Sequence, residues 1–268
     1  MTAHRSTRPS SPAPAVAWWA AALGGLMALL AHAPARWLAE PLQQATNGRV
    51  ELSAPQGTLW NGQAWLTLTG GENSHDRVTL PSPVAWTVRW PTELTLQAAC
   101  CLPQPLTLRW QPGWTSQTMQ IPAHQSQWPA SLLMGLGAPW NTLQLHAQLA
   151  MNTPGLVWQW HAGRAPHLQG SATLDVLDAS SRLSTVRPLG SYRLRAQWPD
   201  AQATSTEPTV QLSTLSGSLL LDGQGQWLGG RLRLQGEATA APGREDALNN
   251  LMNLLGRRVN GRTQIKIG

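Results

Sequence analysis

VAWTVRW (Val84 to Trp90), ELTLQA (Glu93 to Ala98) and LTLRW (Leu106 to Trp110) follow one another with few residues between them, and in each an apolar side chain alternates with a more polar one. A two-residue repeat puts one set of side chains on a buried face and the other toward water, which marks strands of antiparallel sheets. The same alternation precedes them in QAWLTLT (Gln63 to Thr69) and follows them in TLQLHAQLA (Thr142 to Ala150), LVWQW (Leu156 to Trp160) and YRLRAQW (Tyr192 to Trp198). Thr209 to Leu212, Leu219 to Leu221, RLRLQ (Arg231 to Gln235) and Thr263 to Ile267 complete the set. Pro or Gly bounds the earlier runs, and Leu221-Asp222-Gly223 is expected to be a hairpin turn. The fold class is therefore mainly β: an antiparallel β-sheet domain with a few short helices.

Two helices are expected within that domain. Ser131 to Leu136 has room for one turn or two. Glu245 to Leu255 is the stronger case, because Leu248, Leu251, Met252 and Leu255 recur at helical spacing. Glu245 and Asp246 in its first turn, and Gly256 with Arg257-Arg258 after it, suit the two ends of the helix dipole. Its apolar stripe is expected to pack on the protein's own sheet instead of binding a partner.

Outside this pattern stands one N-terminal segment. Pro9 to Ala35 holds 27 residues without a charge, between Arg8 and Arg36, and its centre reads VAWWAAALGGLMALLAHA (Val16 to Ala33). About 20 apolar residues in a helix span the ~30 Å hydrocarbon core of a bilayer. Ala31-His32-Ala33 fits the small-x-small pattern of a leader cleavage site, so a removed leader competes with a retained anchor. Pro34 directly after that site suits a scissile position poorly, and the apolar run exceeds the leader's usual core of about 7 to 15 residues. The expectation is a retained transmembrane anchor at 15–35, a short cytoplasmic tail at 1–14 and a β-rich domain across the membrane at 36–268. Arg5 and Arg8 before the span place the N-terminus in the cytoplasm, Arg36 opposes that bias, and Trp18, Trp19 and Trp37 suit the aromatic belts at the two membrane surfaces.

Beyond Ala35 the chain is long enough for one large domain, with Gln125 to Pro139 as the only plausible seam. All 13 Asp+Glu and 17 of the 19 Lys+Arg fall there, a dilute excess of positive charge without clusters, so no nucleic-acid partner is expected. The 15 Trp and the near-exclusive use of Arg over Lys are spread without a binding spacing and read as genome composition. The two cysteines, Cys100 and Cys101, are neighbours, too close in sequence for an ordinary disulfide, and are expected to be two small apolar residues at a strand end.

The search for chemistry finds no zinc, nucleophile-elbow or phosphate-loop signature. Gly223-Gln224-Gly225-Gln226-Trp227-Leu228 starts like a dinucleotide-binding loop but ends in Leu and lies in a hairpin context. His75-Asp76 and Asp175 with Asp178 come nearest to acid and base groups, and each reads as a solvated loop or strand end. No catalytic residue, cofactor or metal is expected, and the chain is not read as an enzyme.

GTLWNGQA, Gly57 to Ala64, has two glycines flanking a Leu-Trp pair before alternation restarts, which reads as two strands joined by a tight turn or bulge where Gly supplies a positive φ. Trp60 is expected to anchor the core, with a docking role as the alternative. This block, following Gly48-Arg49-Val50-Glu51-Leu52, resembles the GTLWxGxA block of the general secretion pathway protein N (GspN) family of type II secretion systems. Leu136-Gly137-Ala138-Pro139-Trp140-Asn141-Thr142-Leu143 and Leu254-Leu255-Gly256-Arg257-Arg258 with Ile265-Lys266-Ile267-Gly268 are similar to that family's middle and terminal blocks. The motif positions are Gly57, Thr58, Leu59, Trp60, Gly62, Gly137, Pro139, Trp140 and Gly256. The resemblance implies a bitopic inner-membrane subunit of a type II secretion system, a non-enzymatic scaffold or assembly factor for export of folded proteins, partnered by other components of the machine. The reading from another class is an anchored periplasmic carrier whose sheet shelters a lipid or other apolar molecule, and it requires a continuous accessible apolar groove.

Overall fold

A computed structural model describes residues 14–267 apart from 72–73, 139, 162, 164–165, 201–206, 229–230 and 260–261. Helix α1 (Pro14–Ala31) leads through a 3-10 turn (Ala35–Leu38) into α2 (Ala39–Ala45). Strands β1 (Val50–Gly57), β2 (Asn61–Thr69), β3 (Arg77–Thr79), β4 (Val84–Arg89), β5 (Glu93–Ala98), β6 (Leu106–Gln111) and β7 (Ser116–Pro129) follow. A 3-10 helix (Ala130–Leu136) and α3 (Trp140–Leu143) separate these from β8 (His146–His161), β9 (His167–Ser180), β10 (Gly190–Trp198), β11 (Thr209–Gly217), β12 (Leu219–Leu228) and β13 (Arg231–Ala240). Helix α4 (Glu245–Leu255), β14 (Arg257–Val259) and β15 (Arg262–Ile267) close the chain.

All 15 strands join one sheet in the order β1-β2-β4-β5-β6-β7-β8-β9-β10-β11-β12-β13-β15-β14, with β3 paired to β2 beside β4. Every pairing is antiparallel, so the chain meanders up and down and alternate turns fall at the same end of the sheet. The mainly β class and the α4 helix agree with the sequence reading. Among the described residues no helix is long and apolar enough to cross a membrane. At ~1.5 Å per residue, the 18 residues of α1 reach about 27 Å, short of the ~30 Å hydrocarbon core.

Two local expectations are corrected, and the one plausible seam falls partly in paired strand. Thr142 and Leu143 lie in α3, and the two runs expected from Thr142 to Ala150 and Leu156 to Trp160 belong to one strand, β8, which continues through Pro154-Gly155 by a bulge against β9. Leu221-Asp222-Gly223 is not a turn: it lies inside β12, where Gly223 stands opposite Gly236 and the two backbones pass closely. Gln125 to Pro129, at the expected seam, is the end of β7 and pairs with β8 through Pro129, while Pro139 lies outside the described residues.

The core is divided into three buried clusters on one face of the sheet. Ala64 and Trp86, with Leu52, Leu94 and Leu96, close against Ala35 and Leu38 of the first 3-10 turn. Leu66, Leu68 and Val84 continue that face toward Leu80, Cys101 and Leu132 of the second 3-10 helix. At the far side Leu248, Leu251 and Met252 of α4 bury themselves on Leu219, Leu221, Ala238 and Ile265. The i, i+3, i+4 spacing of those three residues makes the stripe, and each buried Leu contributes about 1.5 to 3 kcal/mol.

Cys100 and Cys101 form a disulfide with each other, which overturns the reading of two free apolar residues. The chain reverses here, with the N–H groups of Cys101 and Leu102 both donating to the carbonyl of Ala98. That turn holds Cys101, 1% exposed, inside the cluster of Leu80 and Leu132, with Cys100 packed against it.

Candidate functional site

Two features stand out, and the first is the turn Thr58 to Trp60 between β1 and β2. Gly57 adopts φ +83°, and a Cβ there would lie 2.5 Å from the Asn61 carbonyl, so only glycine fits without strain. Gly62 pairs with Gly57, and a Cβ on it would meet the Trp86 ring at 2.6 Å. Thr58 N–H donates to the Asn61 carbonyl at 2.8 Å and closes the turn. Leu59 N–H then donates to the Ala33 carbonyl at 2.8 Å, Pro34 bridges Thr58, and Trp60 Nε1–H donates to the Leu30 carbonyl at 2.7 Å. The turn therefore clasps the last turn of α1, whose terminal carbonyls have no helical partner of their own.

Trp60 does not fill the core as expected. It is half-buried at the sheet's end and packs edge-on against Trp90 with ring centroids 6.1 Å apart. The core position belongs to Trp86, 7% exposed, whose indole N–H bonds the Leu59 carbonyl at 3.1 Å. Sequence alternation did contain this signal, since Trp86 lies in a run with Val84 and Val88 whereas Trp60 lies between glycines.

The remaining motif positions are spread over other turns. Gly137, φ +79°, ends the second 3-10 helix, and Asn141 four residues on donates to the Asp76 carboxylate at 2.9 Å. Trp140 is half-buried at the start of α3, and Gly256 follows α4 where an added Cβ would run into the Gln264 carbonyl of β15. Pro139 lies outside the described residues.

The second feature is the middle of the helix-bearing face. Directly opposed residues of antiparallel strands project to one side, so register traces that face across the sheet. Leu96 opposes Leu106, Leu94 opposes Leu108, Trp110 opposes Met119, and Met119 opposes Trp158, which in turn opposes Leu168. On the same face Leu174 opposes Leu194, and Leu194 opposes Leu212. From Leu106 to Leu212 these side chains are half-buried and belong to none of the three clusters. At one end of the strip Trp110, Trp114, Met119 and Trp160 line an open cavity of about 490 Å³.

The polar candidates do not converge. His75 is exposed and Asp76 is engaged by Asn141. Asp175 receives two hydrogen bonds of 2.7 Å from Arg193, and this guanidinium holds its carboxyl below the usual aspartate range. Asp178 occupies a bulge at φ +53°, where its N–H bonds Ser191 Oγ. Burial lowers the His124 imidazole, yet no acidic side chain faces it across β8, where Thr153 is its neighbour. Among the described residues no three His, Cys, Asp or Glu side chains gather as a metal site.

Against this geometry the comparisons with known proteins are informative. The chain matches the family model for type II secretion system (T2SS), protein N over residues 48–267, most of its length, and belongs to that family. The matched region contains the whole sheet and α4, and α1 lies before it. No curated protein and no solved structure matches the chain significantly.

Proposed function

We propose that this member of the type II secretion system protein N family is a single-pass inner-membrane subunit that works as a non-enzymatic scaffold or assembly factor for export of folded proteins. In this reading residues 1–14 lie in the cytoplasm, 15–35 form the membrane anchor, which crosses through α1 and whose last residues, Ala33 to Ala35, seat on the folded domain, and 36–268 form the periplasmic domain. One observation carries it. Every described side chain of α1 from Ala17 to Ala31 is exposed, including Leu23 at 61% and Met27 at 65%, with apolar residues on all sides. A helix apolar all round without protein around it needs another apolar solvent, and the bilayer supplies one.

The Ala31-His32-Ala33 segment supports retention. Ala33 and Ala35 are both 1% exposed, Ala33 accepts from Leu59, and Pro34 bridges Thr58, so both sides of the candidate cleavage point are built into the folded domain. Engagement of Asp76 and Asp175 by Asn141 and Arg193 favours a scaffold over an acid-base catalyst. Partners are other components of the secretion machine, and no cofactor is invoked.

The test is a membrane experiment. The full chain should stay in the membrane through alkaline carbonate extraction, and a C-terminal tag should be digested by protease added to the periplasmic side. A mature protein beginning near Pro34, or a tag protected in the cytoplasm, would sink the reading. In cells lacking the protein, Ala at His75, Asp76, Asp175 or Asp178 should still restore secretion at normal protein level.

The uncovered strip from Leu106 to Leu212 favours one second reading, an anchored carrier for a lipid or other apolar envelope molecule. Mass spectrometry of solvent extracts separates the two. A carrier brings down about one lipid per chain after exhaustive delipidation, and a scaffold brings down none.

A further inference from the structure

In an up-and-down meander alternate turns share an end, and the turn that clasps α1 defines one end of this sheet. Six turns between neighbouring strands lie there: β1–β2, β4–β5, β6–β7, β8–β9, β10–β11 and β12–β13. Each carries a tryptophan in the turn or within one residue of the strand end, namely Trp60, Trp90, Trp114, Trp160, Trp198 and Trp227. At the opposite end only the β7–β8 connection does, through Trp128 and Trp140. The tips are also open to solvent: Trp90 is 73% exposed, Trp114 fully exposed and Trp227 40% exposed.

Burial in the core does not account for such side chains, and the alternation of the strands does not require tryptophan at their ends. Trp combines a large apolar ring with one N–H donor, which suits the boundary between hydrocarbon and water. The fold also fixes what lies beside this edge. Trp60, first of the series, is bonded to α1 one residue before the helix ends, so the edge begins where α1 leaves the domain. Exposed charges occur at both ends, Arg89, Asp200, Glu207 and Arg231 beside the tryptophans and Arg182, Arg187, Arg244, Glu245 and Asp246 at the far end, so it is the tryptophans that set the two ends apart.

We propose that the tryptophan-bearing edge seats the domain on the periplasmic surface of the inner membrane, with Trp60, Trp90 and Trp114 in the lipid headgroup layer. Strands are ~4.8 Å apart, so successive tips on one edge are about 10 Å apart, and these three lie within about 20 Å of the helix exit. Sheet twist turns the later tips progressively away from that plane, so contact weakens toward Trp227. The inference rests on α1 being a membrane anchor. It goes further by fixing which edge of the sheet faces the lipid.

The experiment uses the full chain in vesicles of phosphatidylethanolamine and phosphatidylglycerol, with benzoylphenylalanine in place of Trp90, Trp114, Arg187 or Arg244. Irradiation should give lipid adducts several-fold more often at the first two positions than at the last two. Equal yields at both ends overturn the proposal. So does crosslinking from Trp90 and Trp114 to another protein, in place of lipid, when the same variants are irradiated in native membranes. Carbonate extraction of the same samples separates the two levels. Protein retained without tip adducts defeats the edge contact alone, whereas protein released by carbonate defeats the anchor and the edge contact with it.

Discussion

Trp60 and Leu30, thirty residues apart in sequence, are joined by a hydrogen bond of 2.7 Å from the indole N–H to the helix carbonyl. Leu30 is one of the last residues of α1, and its carbonyl otherwise receives only a long bond of 3.4 Å from the Ala33 N–H. The bond gives the β1–β2 turn a direct hold on the helix. Together with Leu59 to Ala33 and Pro34 to Thr58, it makes the exit from α1 a fixed joint instead of a free linker.

Trp60→Phe keeps most of the ring and removes the donor, so it should cost about 0.5 to 1.5 kcal/mol, the net value of one such bond. Trp86→Ala should cost more, about 3 to 5 kcal/mol, because that ring is buried in the first core cluster and its loss leaves a cavity there. Thermal melts of the detergent-solubilised chain measure both. A larger loss from Trp60→Phe than from Trp86→Ala would return Trp60 to the core role the sequence suggested.

Glycines at two sites test two different constraints. Gly243 has φ +77° and open space around a Cβ, so Gly243→Ala should cost about 1 to 2 kcal/mol from backbone strain alone. Gly62 has no such φ, but an added Cβ would sit 2.6 Å from the Trp86 ring and 2.7 Å from the Gln56 carbonyl. Gly62→Ala should cost about 1 to 3 kcal/mol by overpacking, and Trp86→Leu should relieve part of it in a double-mutant cycle.

Asp175 provides a pH signature. Its folded carboxyl is depressed by the Arg193 hydrogen bonds, so the pair contributes stability above the ordinary aspartate value near 3.9 and loses it as pH falls through the lower folded value. Asp175→Asn should therefore melt below the wild type at pH 7, with the gap closing as pH drops below about 4. A gap that persists unchanged at pH 2 to 3 would mean that shape, not charge, is what the substitution removes.

How much of this was legible beforehand depends on which side chains alternate. β5 was readable to its ends because Glu93 to Ala98 alternates without interruption, and α4 because Leu248, Leu251 and Met252 keep helical spacing. β9 carries no such signal, because His167 to Ser180 mixes Gly, Ser and Asp with its apolar residues, and its support comes from neighbours on both sides. β7 was hidden by Pro122 and Ala123, where the inward phase changes from Met119 and Ile121 to His124, Ser126 and Trp128. The clasp on α1 was not legible at all, since nothing local tells Trp60 to reach thirty residues back. The tryptophan edge was invisible for a related reason: equal spacing appears only once strand order places alternate turns side by side.

The cysteine pair supplies the last prediction, and it revises an expectation. From sequence, the adjacency of Cys100 and Cys101 disfavours a stable mutual bond, so Ser at both positions is expected to leave folding nearly intact. In the structure the two are bonded to each other, and Cys101 is 1% exposed among Leu80 and Leu132. Both double variants, to Ser and to Ala, remove the disulfide, so their difference isolates the environment. Serine there buries a hydroxyl among apolar side chains, which costs about 1 to 3 kcal/mol when it finds no partner, whereas alanine leaves only a small void. The Ser pair should therefore melt well below the Ala pair under identical oxidising conditions. Equal melting of the two would place the pair outside the apolar cluster and leave the disulfide as its only contribution.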